Sequence, residues 1–192
     1  MKTPDFAGVT QDVMVNGELV HKGRECRARL EMILPHVRQG STVLDVGSHV
    51  GYFGIELARA RGCKVDSYEA NNRFRSIQRW AVKANGVEDL VKVKGDFDPA
   101  AMGSKKYDVI LLLAVLHYCP GDFLKRIAAH GKKIIIEFPR PEETTALYHD
   151  LIVELSPFED HLRKVFGEVA LIGVPDAPYM PGVKRGMWLC RR

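Results

Sequence analysis

From Thr42 onward the chain alternates short, dense apolar runs with longer stretches of helical periodicity. The stretches Thr42–Val46, Lys64–Glu69, Val91–Lys94, Tyr107–Leu113 and Lys133–Phe138 read as strands, the first and the last two rich in branched aliphatic residues. Between them the spacing predicts one helix ending near Ala60 and another over Arg73–Asn85, stopped by Asn85–Gly86. Two more are predicted near Gly121–His130 and Glu142–Leu155. The segment VILLLAVL is apolar at consecutive positions, as a central strand buried on both faces requires. An earlier helix is predicted from Arg24 to Val37, kinked late by Pro35. The first 20 residues show no period and read as irregular.

Strands alternating with helices imply right-handed crossovers and a mostly parallel sheet covered on both faces. The ending differs. Val169–Val174 and Gly186–Cys190 read as strands joined by a loop without a helix, so they should pair antiparallel. At 192 residues the expectation is one α/β domain over 1–192, with 1–40 an N-terminal extension and helix covering the site.

Composition narrows the class only slightly. No apolar run approaches the roughly 20 residues of a membrane span, and the start lacks a signal-peptide core. Cys26, Cys63, Cys119 and Cys190 are scattered, with no CxxC pair, which suits reduced cytoplasmic thiols better than disulfides or zinc. The net charge of +4 concentrates at Arg73–Lys83 and Lys184–Arg192. Without an arginine-rich run or an aromatic-basic motif, that charge does not favour nucleic acid as the partner.

The chemistry concentrates in TVLDVGSHVGYFG, Thr42 to Gly54. A strand that ends in a glycine turn and feeds a helix brings a nucleoside-bearing ligand against bare backbone. Counted from Gly47, the dinucleotide fingerprint would need glycines where His49 and Tyr52 stand, so it fails. No GxxxxGK[ST] is present for a nucleotide triphosphate. Instead Asp45 ends the first strand, and Glu69 ends the second, 24 residues on. A carboxylate in Glu69's place accepts both hydroxyls of a ribose. One in Asp45's place repels a pyrophosphate and suits a cation, or holds the loop through its N–H groups. S-adenosylmethionine, with a sulfonium, an ammonium and a ribose diol, fits both acids.

Four segments, in order, resemble the motifs of the class I S-adenosylmethionine-dependent methyltransferases, and the likeness runs from about Leu30 to the C-terminus. DVGSHVGYFG resembles the first motif, matching at Asp45, Gly47 and Gly51, with Ser48 between them and His49 in place of the middle glycine. This variant is similar to that of FkbM-type and polysaccharide-modifying methyltransferases. SYEANN resembles the second motif, which implies Glu69 on the ribose with Ala70 beside it. For KGDF the resemblance implies Asp96 on the adenine amine and Phe97 against the ring. LLAVLHY resembles the fourth-strand motif, which implies Leu113 at the cofactor. The resemblance implies a Rossmann-like three-layer αβα sandwich with a seven-stranded sheet of order 3-2-1-4-5-7-6 and an antiparallel C-terminal hairpin.

For methyl transfer to a hydroxyl, His117 is the candidate base: it follows the fourth strand, and its ordinary pKa lets it take a proton near neutrality. The alternatives are packing beside the cofactor and capping the helix at Pro120. Tyr118 and Glu137 are secondary acid–base candidates. Arg140, Tyr179, Lys184 and Arg185 are candidates for an anion-recognising wall, and Arg24 or Arg27 for a lid. No metal is expected. With no large inserted domain, the favoured acceptor is a small polar or anionic group: a glycan end, a phosphate or a natural-product hydroxyl. An RNA-modifying methyltransferase and a non-catalytic cofactor-binding subunit are the rivals. A nicotinamide oxidoreductase is disfavoured by the failed glycine spacing.

Overall fold

A computed structural model describes residues 2–24, 26–137, 155–175 and 185–192. The chain divides into two compact units, Met1–Phe97 and Asp98–Arg192.

The first unit opens with a hairpin, β1 (Val13–Val15) and β2 (Glu18–His21), where the sequence pattern suggested irregular chain. Its turn is Asn16–Gly17, with φ of 52° and 90°. Two positive φ values in a two-residue loop match the right-handed twist of the strands, and Asn-Gly adopts them readily. Helix α1 (Arg27–Ile33) runs into a 3-10 turn at Leu34–His36, where Pro35 breaks the pattern as expected. It starts three residues later than the spacing suggested, because Arg24 forms a β-bridge with Gln11.

Then come β3 (Thr42–Val46), α2 (Tyr52–Arg61), β4 (Lys64–Tyr68), α3 (Asn72–Ala84) and β5 (Val91–Lys94). The strands β3, β4 and β5 pair parallel, with Asp45 opposite Ser67. Asn71 caps α3, its side chain accepting the N–H groups of Arg73 and Phe74. Asn85 ends α3 and does more. Its amide accepts the Asn16 N–H at 3.0 Å and donates to the Met14 carbonyl at 2.8 Å. Asp5 paired with Arg73, and Phe6 edge-on to Trp80, fasten the preceding segment to the same helix.

The second unit holds β6 (Tyr107–Leu113), α4 (Phe123–Ala128), β7 (Gly131–Glu137), α5 (Leu155–Arg163), β8 (Glu168–Gly173) and β9 (Met187–Arg191). β6 and β7 pair parallel, whereas β9 pairs antiparallel with both β7 and β8. Trp188 on β9 is fully buried, donates to Glu159 at 3.1 Å and packs edge-on against Phe158. Its ring explains Gly186: a Cβ there would lie 2.1 Å from the indole. The helix expected over Glu142–Leu155 lies outside the described residues except for Leu155, where α5 begins.

The fold class is the expected α/β one: a mostly parallel seven-stranded sheet flanked by helices, with antiparallel strands at its C-terminal end. The sheet order is β5-β4-β3-β6-β7-β9-β8, which is 3-2-1-4-5-7-6 once the separate hairpin is left uncounted. Among the described residues, no helix is long and apolar enough to cross a membrane.

The Asn85 amide thus ties β1 and the hairpin turn to α3. Asn85→Ala should cost about 1–2 kcal/mol in urea unfolding, and should speed proteolysis at Asn16–Gly17. Unchanged cleavage would show that the hairpin is held elsewhere.

Candidate functional site

The loop from β3 to α2 is built from backbone outward. The N–H groups of Gly47 and Ser48 both donate to the Tyr68 carbonyl, at 2.9 and 3.0 Å. The next N–H, of His49, donates to Glu69 Oε2 at 2.8 Å. Three successive amides thus turn toward the end of β4. Gly47 and Gly51 have φ of 71° and 85°, in the left-handed region where glycine is unstrained. His49, at φ 55°, occupies the same region. Histidine is among the few other residue types enriched there, which accounts for its standing where the motif usually has glycine. Its ring folds back onto Phe74 of α3, with centroids 3.9 Å apart. Burial, with the nearby Arg24 charge, lowers its pKa to about 4, so the imidazole is neutral at physiological pH.

Asp45, at 2% exposure, does not brace this loop. Its Oδ2 is buried with no hydrogen-bond partner among the described residues. Burial, and then the Glu69 charge, raise its pKa to about 7. Glu69 receives two backbone N–H groups, from His49 on Oε2 and from Asn71 on Oε1, each at 2.8 Å. A carboxylate has about four acceptor positions, so two are left for a diol. The carbonyls of Glu69 and Ala70 both accept from Arg75, which fixes the turn after β4.

Phe97 is half-buried and edge-on to Tyr68, with centroids 5.0 Å apart. Asp96 is exposed. Of the two neighbouring acids it is Asp98, in the second unit, that caps the following turn, accepting the Ala100 N–H at 2.8 Å.

Sequence reasoning missed two polar contributors. Gln11 accepts the Tyr52 N–H at 3.3 Å, so the N-terminal segment caps α2. Gln78 is fully buried on α3 between the Ser48 and Ser67 hydroxyls. A polar residue on the apolar face that holds Ile77, Ala81 and Val82 was the available signal.

In the second unit, Leu113 ends β6 and Ala114 follows at φ 53°, a strained conformation for alanine. His117, on the 3-10 turn Leu116–Tyr118, is buried, and its ring lies 3.9 Å from that of Tyr118. Tyr118 itself is 79% exposed. Glu137 is fully buried and paired with the buried Arg185 at 3.1 Å. Arg27 is exposed and pairs with Glu31, while Arg24 sits on its bridge to Gln11. Arg140, Tyr179 and Lys184 lie outside the described residues.

The left-handed backbone at His49 gives a direct test. A β-branched side chain is excluded from that conformation, so His49→Val should be less stable than His49→Gly by about 1–2 kcal/mol in denaturant unfolding. Equal stabilities would mean that the loop does not hold φ positive at this position.

Comparison with known proteins agrees with this architecture. A family described as a methyltransferase domain matches residues 19–143. Sequence comparison with curated proteins gives no match. Among solved structures, the chain is similar to the bifunctional kinase-methyltransferase WbdD, with a TM-score of 0.71 and 20% identity. That likeness covers 88% of this chain but only 40% of WbdD, so the chain spans about two fifths of its length. The N-terminal domain of EvdMO1, solved in the presence of SAH and D-fucose, gives a TM-score of 0.69 at 14% identity, covering 97% of this chain and 92% of that one. A methyltransferase from Pyrococcus furiosus gives 0.62 at 16% identity, covering 85% and 81%. Because the family match takes in more than half of its residues, the chain belongs to the methyltransferase-domain family.

Proposed function

We propose that the chain is an S-adenosylmethionine-dependent methyltransferase, acting as one domain over 1–192 in the cytoplasm on a small polar or anionic acceptor. One observation carries the cofactor: Asp45 has a buried oxygen without a hydrogen-bond partner among the described residues, and the Glu69 carboxylate whose charge acts on it has two acceptor positions to spare. An unpaired buried carboxylate is costly and calls for a cation. The remaining capacity of Glu69 calls for two hydroxyls. S-adenosylmethionine supplies both features and, when bound, an electrophilic methyl group. Asp45 would face its ammonium, Glu69 its ribose, Phe97 and Asp96 its adenine, and Gly47, Ser48, Gly51, Ala70 and Leu113 would line it.

Among the acid–base candidates we assign proton removal from an acceptor hydroxyl to His117. Glu137 is committed to its pair with Arg185, and Tyr118 is largely in solvent. In-line displacement needs little else from the protein than orientation, which can contribute roughly 7–11 kcal/mol. A glycan end, phosphate or natural-product hydroxyl is the acceptor class we favour, and EvdMO1, crystallised with D-fucose, supports the glycan option.

S-adenosylhomocysteine at about a hundred times its Kd should stabilise the fold by about 2.7 kcal/mol. For a chain of this size that is a Tm rise of roughly 5–10 °C. Glu69→Ala should abolish the rise. Equal shifts in wild type and variant would remove Glu69 from the site, and no shift in wild type would end the cofactor assignment.

Asp45 adds a pH signature. Its folded pKa of about 7 stands above the ordinary 3.8, so between these values the native state binds more protons than the unfolded state. Its contribution therefore turns unfavourable as pH rises from 3.8, and the penalty is complete above about 7. Without ligand, Asp45→Asn should melt higher than wild type at pH 8, and the gap should close toward pH 4. A pH-independent gap would contradict this assignment.

A further inference from the structure

Gln78 has no place in the motifs, yet it meets the loop at Ser48 and Gly51 and the neighbouring strand at Ser67. Ser48 Oγ donates to its Oε1 at 3.1 Å, and its Nε2 donates to Ser67 Oγ at 2.6 Å. One side chain of α3 therefore joins the glycine loop to β4. All three groups are buried: Ser48 at 1%, Ser67 and Gln78 at 0%.

The same amide dictates Gly51. A Cβ at that position would lie 2.6 Å from both Cγ and Nε2 of Gln78. Real side chains do not approach so closely, so the glutamine and the glycine are each fitted to the other. Ser67 also stands beside Asp45 in the sheet. The two are partners in the β3–β4 register, which places their side chains on one face of the sheet. A Cβ at Gly54 would stand 3.6 Å from Asp45 Oδ2 and from Ser67 Oγ alike.

We propose that Gln78 is a positioning residue for the cofactor cradle: its amide sets Ser48 and Gly51 in front and, through Ser67, the wall beside Asp45. The inference rests on the reading of this loop as the S-adenosylmethionine site. An apolar side chain of the same length fills the space but leaves two serine hydroxyls buried without their partner. The loop then loses its tie to α3, and the ligand must restore the bound arrangement at the expense of affinity. Gln78 touches no ligand in this scheme; it acts through the loop.

The test is calorimetric titration of S-adenosylhomocysteine into the full chain, well below the Tm of each protein used. Gln78→Met should raise Kd by roughly tenfold or more, the effect of unpairing a buried hydroxyl. Ser67→Ala removes only the far acceptor and should raise it by roughly threefold to tenfold. It also serves if Gln78→Met does not fold. Ile110→Val in β6 is the control: it lowers the Tm and should leave Kd unchanged. Wild-type affinity in both Gln78→Met and Ser67→Ala would overturn the inference and leave the cofactor reading standing. Equal weakening in Ile110→Val would overturn it too, by making the effect one of general stability. No binding by wild type would instead overturn the cofactor reading, and the inference with it.

Discussion

Three consecutive amides, those of Gly47, Ser48 and His49, are all given to the end of β4, two to the Tyr68 carbonyl and one to the Glu69 carboxylate. A helix start leaves N–H groups without partners, and a loop that feeds a helix must place them somewhere. Here the loop amides ahead of the helix are given to the neighbouring strand, and Gln11 takes a helix-start N–H, that of Tyr52. This arrangement fixes the two positive-φ glycines and forces His49 into the same conformation. It also decides what the acids are for. Since the backbone is held by Tyr68 and Glu69, Asp45 is not needed as a brace.

The consequence is an electrostatic imbalance confined to one corner of the first unit. Asp45 is buried near the Glu69 charge with an oxygen that no described residue satisfies, and its proton affinity rises to match. Such an arrangement costs stability in the absence of ligand and is retained where binding repays it. His49, kept neutral, adds no positive charge that would quench the demand for a cation. On the proposed reading the corner selects by charge: a pyrophosphate would be repelled on the same grounds that a sulfonium nucleoside would be bound.

Much of this was legible in the residues. The bounds of β3 and β6 follow from their apolar runs, because largely buried strands carry little competing polar signal, and those of β5 from the Val-Lys alternation of VKVK. Asp45 and Glu69 were readable as a pair because parallel strands end on one edge of the sheet. What failed were features set by distant contacts. The Asn16–Gly17 turn carried a strong hairpin signal, but its strands are three and four residues long, and exposed Leu19 and Val20 blur the alternation. The start of α1 depended on the bridge of Arg24 to Gln11. Gln78 looked like an ordinary helix residue, since its partners lie 30 and 11 residues away. Whether Asp45 braced the loop or awaited a ligand turned on hydrogen bonds that no spacing encodes.

The central claim is that Asp45 and Glu69 make a cradle for a cation and a diol, and proton release tests it most directly. S-adenosylmethionine should be titrated calorimetrically at pH 7 in buffers of different ionisation enthalpy. A cationic ligand favours the charged form of Asp45, so binding should expel a substantial fraction of a proton, and Asp45→Asn should expel none. Affinity should also rise from pH 6 to pH 8. Tight binding without proton release, equal in wild type and Asp45→Asn, would contradict the account.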